Sequence, residues 1–327
     1  EVYTQIMNDI NKAIGYLENS TIKRRDKRYI DITVAYGLRA RINLTMGNWA
    51  DAAKDAESAI SLSSATPYSI NELKRPAFNT ADDNSWMWAI KIAESDRVVT
   101  TGICNFPSHM GSLNYGYCWY SGGRQINKTL YNSIPDTDVR KGWWLNEDTV
   151  SSNLTEEEQA LVSYYYGAYT QVKFAPYNDE LETSTNASDI PLMRIEEMYL
   201  IKAEGEAMSG NVTGAKATLE SFLCDYRDPE YSCTASTPET LQEEIYHQRR
   251  IELWGEGMNW FDVMRLNKGV DRRGAGYPNA SSVFNIQPGD PILLWRLPEK
   301  EIQANPALSN SDNNEAVPVP SPVPDIE

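Results

Sequence analysis

Histidine is almost missing from this sequence, since His109 and His247 are its only two histidines. Histidine is the commonest general base and metal ligand in proteins, so most enzymatic and metal-dependent functions lack the groups that they need here. The P-loop, GxGxxG, HExxH and GxSxG motifs are missing as well. We therefore predict no catalytic residue, no metal site and no cofactor.

Basic residues are scarce relative to acidic ones. The sequence has 30 lysines and arginines against 46 aspartates and glutamates, which gives a formal net charge of −16. Proteins that bind nucleic acid carry clustered positive charge, so this balance argues against a nucleic-acid partner. Hydrophobic residues make up 41% of the chain and charged residues 23%, as in ordinary globular proteins. We expect the chain to fold.

Long apolar runs are lacking too. No stretch of the sequence approaches the roughly 18 to 20 apolar residues of a membrane-spanning helix, and no signal peptide is visible. The apolar residues at positions 2, 6, 10, 14 and 17 follow helical spacing, so an amphipathic helix is already under way at the first residue. We expect the chain to be a fragment whose leader is missing.

The cysteines lack the spacing of a metal or redox site. Cys104 and Cys118 form one local pair and Cys224 and Cys233 another, with 13 and 8 intervening residues. Neither pair has the C-x2-C spacing of zinc or thioredoxin-type sites. Local disulfides and free buried thiols both remain open at this point.

Two segments of the sequence share one helical pattern. Residues 33–60 predict a helical hairpin with its turn at Gly47 and Asn48. Residues 199–223 match residues 36–60 without a gap at 7 of 25 positions, and the turn residues coincide. Repeated units of this kind are similar to tetratricopeptide hairpins, which stack on one another. The sequence therefore predicts a mostly α fold with helical hairpins over residues 1–60 and 190–267.

The intervening residues 61–189 have a different, loop-rich composition. Alternating apolar residues predict a short strand that begins at Trp86, with Trp86 and Trp88 in the core. Residues 102–124 are rich in glycine, asparagine, serine and aromatic residues without a helical period, which favours an ordered irregular loop with a function. Thr155 and the three glutamates after it predict the start of a helix.

Phenylalanine is the rarest aromatic residue, with 6 copies against 19 tyrosines and 9 tryptophans. Tyrosine and tryptophan join a flat ring to a polar group, which suits a half-exposed sugar-binding surface as well as a core. Residues 114–125 combine such rings with hydrogen-bonding side chains. We predict a stacking platform of Tyr115, Tyr117, Trp119 and Tyr120, with Asn114 and Arg124 as hydrogen-bonding neighbours and Trp143 and Trp144 as second-line candidates. The alternative, a loop that packs its own aromatic rings onto the helices, stays open.

One pair of carboxylates, Glu252 and Glu256, could in principle serve as the catalytic pair of an enzyme. Glu252 and Glu256 lie four residues apart on a predicted helix, and two carboxylates are the minimum equipment of a glycosidase. Glycosidase carboxylates face each other across a cleft, which one side of one helix does not supply. Pairing with arginines explains both glutamates without chemistry, so we predict a structural role for them.

Residues 244–265 also carry a pattern that can be compared with known families. The pattern Arg-x-Glu-Leu-x-x-Glu-Gly-x-x-Trp-x-Asp-x-x-Arg is met by Arg250, Glu252, Leu253, Glu256, Gly257, Trp260, Asp262 and Arg265. Residues 37–56, 190–211 and 296–308 agree in order with the same family. In these features the chain resembles the RagB/SusD family of outer-membrane nutrient-binding lipoproteins. Gln248 and Asn259 depart from the glutamate and arginine that the family usually has there.

The resemblance implies a single SusD-like domain over residues 1–308 that lacks the family's N-terminal portion, followed by a proline-rich flexible tail over residues 309–327. It implies a glycan-binding protein of the cell surface, without catalysis, that delivers its ligand to a SusC-like TonB-dependent transporter in the outer membrane. Membrane contact is expected only through a lipid anchor absent from this chain. The signature residues are expected to be scaffold. The alternatives are peptide binding within the same family and a helical-repeat scaffold without a soluble ligand.

Overall fold

The computed structural model describes residues 1–100 and 104–326. The chain divides into two compact units. The larger unit comprises Glu1–Ile126 and Leu130–Gly257, and the smaller unit comprises Asn127–Thr129 and Met258–Glu327. The single domain over residues 1–308 and the flexible tail over residues 309–327 stay predictions.

Helices dominate the regular structure of the larger unit, which confirms the predicted fold class. They are α1 (Val2–Glu18), α2 (Ile32–Met46), α3 (Trp49–Leu62), α4 (Arg97–Thr100), α5 (Phe106–Met110), α6 (Tyr117–Ser121), α7 (Lys128–Asn132, which begins in the smaller unit), α8 (Glu156–Tyr165), α9 (Ile195–Met208), α10 (Val212–Tyr226) and α11 (Pro238–Glu252). Short 3-10 turns cover Val139–Trp143 and Tyr177–Asp179.

The two predicted hairpins are present and pack together. Helices α2 and α3 form the first hairpin, α9 and α10 form the second, and α9 lies against α3 as well as against α10 and α11. Gly47 turns the chain after α2 with a φ of 74°, a conformation that favours glycine. At Gly205 a Cβ would lie 2.5 Å from the backbone oxygen of Trp49. Glycine at this position therefore lets α9 approach α3, so the repeats are neighbours in space although a long insertion separates them.

A two-stranded sheet accompanies the hairpins. Strand β1 (Trp86–Ile90) pairs in antiparallel fashion with β2 (Ile190–Arg194), and Trp86 lies opposite Arg194. This confirms the predicted strand, whereas β2 falls where we expected the second helical segment to begin. Trp86 is fully buried, as predicted, and Trp88 is half-buried.

The predicted irregular loop contains two short helices, α5 and α6. Residues 102 and 103 of that stretch lie outside the described residues. Asn105 caps α5 by accepting a hydrogen bond from the backbone nitrogen of Ser108 at 3.0 Å, and Pro107 stands in the first turn. A cap and a proline suffice for one helical turn, which is too short to produce a visible helical period. Farther along, α8 starts after Thr155, as predicted, and Thr155 and Glu158 form its capping box.

Three extended segments frame this insertion and fix the backbone around Arg124. The backbone nitrogen of Gln171 donates to the carbonyl oxygen of Arg124 at 2.8 Å, and that of Val172 donates to the carbonyl oxygen of Trp143 at 2.7 Å. Residues 169–172 thus lie between the segment that contains Arg124 and the segment that contains Trp143. The arrangement holds Arg124 on a hydrogen-bonded frame rather than on a free loop.

The smaller unit contains α12 (Asn259–Arg265), α13 (Glu299–Ala304), β3 (Val270–Asp271) and β4 (Asn285–Ile286). Residues 313–326 have no regular secondary structure, but the backbone nitrogen of Val323 donates to the carbonyl oxygen of Val283 at 3.0 Å. Within residues 1–100 and 104–326, no helix combines the length and the hydropathy that a membrane crossing requires.

Candidate functional site

The loop around α6 and the end of α8 together expose a group of aromatic rings, which we call the aromatic platform. The platform consists of Tyr115 (37% exposed), Tyr117 (42%), Tyr120 (65%), Tyr164 (81%), Tyr165 (40%) and the half-buried Trp119. Four of these six residues are the predicted stacking residues. Tyr164 and Tyr165 were outside that prediction, and the run of three tyrosines at residues 164–166 is the signal that could have found them.

Five of the six platform rings are in direct contact with one another. Trp119 stacks on Tyr165 with ring centroids 4.3 Å apart and an interplanar angle of 18°, while Tyr115 meets Trp119 edge-on at 5.1 Å. Tyr164 meets Tyr165 edge-on at 4.8 Å. The hydroxyls of Tyr115 and Tyr120 are hydrogen-bonded, which raises the pKa of Tyr120. These contacts join five rings, those of Tyr115, Trp119, Tyr120, Tyr164 and Tyr165, into one surface, while the sixth, Tyr117, stacks on His109.

Buried polar contacts hold the loop that carries the platform. The backbone nitrogen of Tyr115 donates to the carbonyl oxygen of Thr183 at 2.9 Å, and that of Tyr117 donates to Ser108 Oγ at 2.8 Å. Between them, Gly116 lies so close to Ser108 that a Cβ would stand 2.8 Å from its backbone oxygen. Only glycine fits there without a shift of the backbone. The tyrosines therefore project from a loop that is already ordered.

Asn114 belongs to this frame and not to the exposed surface. Its side chain is buried and donates to Asn186 Oδ1, while Asn186 Nδ2 in turn donates to the backbone oxygen of Tyr115 at 3.1 Å. The prediction of Asn114 as a hydrogen-bonding contact for a ligand is thereby corrected. A short amide is suited to this role because one side chain satisfies donors and acceptors of two neighbouring backbone segments.

Trp143 and Trp144 are core residues. Both indoles are buried; Trp143 packs edge-on against Phe78 at 5.5 Å, and Trp144 packs edge-on against Trp254 at 5.7 Å. The ammonium of Lys173 lies 4.7 Å from the centroid of the Trp143 ring. These contacts correct the prediction of Trp143 and Trp144 as second-line stacking residues, because neither ring presents a face to a ligand.

Arg124, which we predict to be a hydrogen-bonding neighbour of the ligand, borders the platform at Tyr117. Its Nη1 donates to Ser121 Oγ at 2.7 Å and to the carbonyl oxygen of Gly123 at 3.1 Å. Its Nη2 lies 3.5 Å from His109 Nδ1, and the His109 ring stacks on Tyr117 with centroids 4.4 Å apart. A half-buried cation therefore stands beside the rings on the Tyr117 side.

The two glutamates of the signature lie in a buried cluster of charges. Glu252 pairs with Arg227 at 2.7 Å, with Arg194 at 3.1 Å and with Arg140 at 3.3 Å. Burial alone raises the pKa of Glu252, but these three guanidiniums hold that pKa well below its usual value. Glu256 pairs with Lys173 at 2.6 Å, and burial lowers the pKa of Lys173 to about 8.

This environment contradicts a glycosidase that uses Glu252 and Glu256. The Glu252 side chain is fully buried and the Glu256 side chain almost so, and a general acid needs a raised pKa and access to its substrate. Arg194 binds both carboxylates, so charge pairing accounts for them. The structural role predicted for the two glutamates agrees with these contacts, but their partners come from distant parts of the chain.

The other signature residues are distributed over both units. Arg250 lies on α11 with its guanidinium 5.7 Å from the Tyr246 ring, and Gly257 follows α11 with a φ of 83°. In the smaller unit, Asp262 and Arg265 of α12 form an ion pair at 2.8 Å, and Trp260 meets Trp295 edge-on at 6.4 Å. These contacts are structural, so the signature contributes no group to the platform.

Within the described ranges, no group of three or more histidine, cysteine, aspartate and glutamate side chains is arranged to hold a metal ion. The four cysteines are free thiols in the structure, with Cys104 exposed and Cys118 and Cys233 buried. The site is therefore defined by aromatic rings, hydroxyls and one guanidinium.

Comparison with known proteins identifies the family of this chain. Residues 113–315 match the sequence profile of the SusD family, and this span contains both the platform loop and the signature. The chain belongs to the SusD family. Among curated proteins, a SusD-like protein of Formosa agariphila is 27% identical over 207 residues, which cover 61% of this chain and 35% of that protein. The match confirms the resemblance found in the sequence.

Solved structures of SusD-like proteins have the same fold. A SusD-like carbohydrate binding protein from Bacteroides vulgatus superposes with a TM-score of 0.70 at 22% identity, over 96% of this chain and 66% of that one. A laminarin binding SusD-like protein superposes with a TM-score of 0.56 at 19% identity, over 81% of this chain and 60% of that one. This SusD-family chain thus spans just under two thirds of the length of these structures, and about a third of that of the curated relative.

Proposed function

We propose that this chain is a carbohydrate-binding protein and that the aromatic platform holds an oligosaccharide. The observation that carries the proposal is the ordered array of exposed tyrosines around Trp119. Flat rings stack on the CH-rich faces of sugars, and tyrosine loses little conformational entropy on binding because it has only two side-chain torsions. Family membership supports the ligand class, because one SusD-like protein of known structure is a carbohydrate binding protein and another binds laminarin.

The proposed role is binding without hydrolysis. The carboxylates that could have served a glycosidase, Glu252 and Glu256, are held in the buried ion-pair cluster. The platform itself offers tyrosine hydroxyls and the Arg124 guanidinium, and an arginine remains protonated in proteins. Such groups bind and orient a sugar, but they do not supply a pair of proton donor and acceptor for cleavage of a glycosidic bond.

We further propose that the protein acts at the cell surface and hands its ligand to a SusC-like TonB-dependent transporter. This step rests on the family to which the chain belongs. Co-expression of the full-length protein with its cognate transporter, followed by affinity purification from detergent-solubilised outer membranes, tests it. Stoichiometric recovery of the transporter is the expected result, and recovery of the protein alone would contradict the partnership.

The binding proposal is tested by affinity electrophoresis in gels that contain starch, laminarin, other plant polysaccharides or mucin glycans, with serum albumin as the reference protein. We expect retardation in at least one gel. Trp119→Ala should weaken that retention at least about tenfold, because the Trp119 ring contacts both Tyr115 and Tyr165 and truncation of a central aromatic residue is costly. Tyr16→Ala is the matched control, since Tyr16 is an exposed tyrosine on α1 that lies outside the platform.

Two outcomes would contradict the proposal. If Trp119→Ala folds, as judged by circular dichroism, and retains the affinity of the wild type for every bound glycan, the platform is not the site. If no gel retards the protein while a protein digest binds to it, the peptide-binding alternative takes its place. Recovery with the transporter but with no soluble ligand would instead favour the scaffold.

A further inference from the structure

Arg124 has hydrogen-bonding capacity that the protein leaves unused. A guanidinium has five N–H donors, and the two on Nη1 point to Ser121 Oγ and the Gly123 carbonyl oxygen. One donor of Nη2 faces His109 Nδ1 at the long distance of 3.5 Å. Among the described residues, the Nε donor and the second Nη2 donor have no acceptor. Nε and Nη2 together form one edge of the guanidinium plane.

That edge is the one by which arginine binds a carboxylate side-on, and this chain shows the geometry elsewhere. Arg28 donates from Nε and Nη2 to the two carboxylate oxygens of Asp26 at 3.0 and 2.7 Å. Arg273 does the same to Asp271 at 3.0 and 2.8 Å. By contrast, no carboxylate of the described residues lies within the 4.0 Å ion-pair distance of Arg124. Arg124 therefore has the donors for side-on pairing with an anion, and among the described residues no carboxylate pairs with it.

His109 extends the donor surface toward the rings. Its Nδ1 faces a donor of Arg124, so in the neutral imidazole this nitrogen accepts and Nε2 carries the proton. Among the described residues, Nε2 has no acceptor. Because the His109 ring stacks on Tyr117, this N–H and the Arg124 edge border the same end of the platform. An anion placed there stands next to a sugar ring that lies on the tyrosines.

We propose that the oligosaccharide of this platform is acidic: a carboxylate or sulfate group of the ligand binds the Nε and Nη2 edge of Arg124 while neighbouring sugar rings lie on the tyrosines. The inference rests on the proposed carbohydrate-binding function and names its substrate class. The protein's net charge of −16 opposes the approach of a polyanion at long range, but this repulsion is screened over about 8 Å at physiological ionic strength. The charge-assisted fork acts at contact distance, where screening is weak.

The experiment compares acidic with neutral polysaccharides in affinity gels. Polygalacturonate and alginate supply carboxylates, κ-carrageenan supplies sulfate esters, and starch, laminarin and galactomannan are neutral. We expect retention by an acidic polysaccharide and loss of it when the carboxylates of polygalacturonate are methyl-esterified or the sulfates of carrageenan are removed. Retention by one acidic class and not the other identifies the anion.

Variants of Arg124 link that preference to the proposed edge. Arg124→Gln should weaken retention about tenfold or more. The retention of Arg124→Lys should lie between that of the wild type and that of Arg124→Gln, because lysine keeps the positive charge but cannot donate two hydrogen bonds side-on. Arg25→Gln is the control, since Arg25 is exposed and its replacement removes the same charge outside the platform. The esterified and desulfated ligands need no variant, so they decide the question even if an Arg124 variant fails to fold.

The outcomes separate this inference from the proposed function. Retention by neutral polysaccharides that depends on Trp119 but not on Arg124 overturns the acidic ligand and leaves the carbohydrate-binding platform in place. Acidic retention that Arg124→Gln and Arg25→Gln reduce equally also overturns it, because general charge then explains the binding. If no polysaccharide retards the protein, the inference falls together with the proposed function.

Discussion

Replacement of Glu252 by glutamine tests the buried charge cluster that holds the two helical segments and the insertion together. The cluster comprises the cations Arg140, Lys173, Arg194 and Arg227 and the carboxylates of Asp138, Glu196, Glu252 and Glu256. Four positive charges thus face four negative ones. Glu252 contacts three of the four cations, so its replacement affects more pairs than replacement of any other carboxylate in the cluster.

The magnitude follows from what remains after the change. Glutamine has nearly the shape of glutamate and keeps one acceptor oxygen, so packing is preserved, but the cluster is left with one excess buried positive charge. Removal of one partner from a buried pair costs about 3–5 kcal/mol. At roughly 2–4 °C per kcal/mol for a protein of this size class, we expect the midpoint of thermal unfolding to fall by about 6–20 °C. Glu239→Gln, in the exposed first turn of the same helix, should lower stability by no more than about 1 kcal/mol.

Urea unfolding followed by tryptophan fluorescence, together with thermal melts by circular dichroism, measures both variants at neutral pH. The slope of the urea transition should stay the same, so that a shifted midpoint reports stability and not a change in the native state. A loss below about 1 kcal/mol for Glu252→Gln, equal to that of Glu239→Gln, would refute the reasoning. It would mean that the cluster tolerates an unbalanced charge, through water or through rearranged partners.

Two further predictions concern the loop and the pH dependence. Gly116→Ala should destabilise the protein by about 1–3 kcal/mol and weaken glycan retention, because the new Cβ would stand 2.8 Å from the backbone oxygen of Ser108. Gly15→Ala is the control in thermal melts, since no atom lies within 4 Å of a Cβ at that position. Equal melting temperatures of the two variants would contradict the close approach at Gly116. Acid should destabilise the protein, because the pKa values of Glu252 and Glu256 in the folded state lie below the ordinary 4.5. The contribution of these two carboxylates to the free energy of unfolding is present above pH 4.5 and is lost as the pH falls through their folded-state pKa values. Urea midpoints between pH 5 and pH 3 should fall less steeply for Glu256→Gln, which binds no proton at that position, and an equal slope would contradict the linkage.

The helical part of the fold could be predicted from the sequence because its determinants are local. Gly47 and Asn48 are the two residues between α2 and α3, and Gly210 and Asn211 are two of the three residues between α9 and α10. The same holds for α8, whose start at Thr155 is fixed by a side chain three residues away. Short-range signals of this kind survive in a single sequence, since neither the turn nor the cap depends on distant partners.

The partners of the buried charges could not be predicted. Glu252 draws Arg140, Arg194 and Arg227 from three separate segments, and only the folded chain brings them together. The same limit explains Trp143 and Trp144, because composition does not tell a ring that stacks on a ligand from one that faces a buried ammonium. Tyr164 and Tyr165 were missed because they reach the platform from α8, far along the chain from the loop. Tyr165 contacts Trp119 of the loop, and Tyr164 contacts Tyr165.

The residues of the predicted loop form two groups: a frame of buried polar residues that orders the backbone, and a face of exposed tyrosines. Asn105, Ser108 and Asn114 of the loop, with Asn186 outside it, are buried and connect backbone segments by hydrogen bonds, whereas the tyrosines project outward. A composition rich in asparagine and serine resembles that of a flexible segment, yet here each short polar side chain replaces a missing secondary-structure hydrogen bond. Because frame and face are different residues, substitution of Tyr120 or Tyr164 changes what the surface binds at little cost in stability. Substitution of Asn114 does the reverse, since it abolishes the order on which every ring of the loop depends.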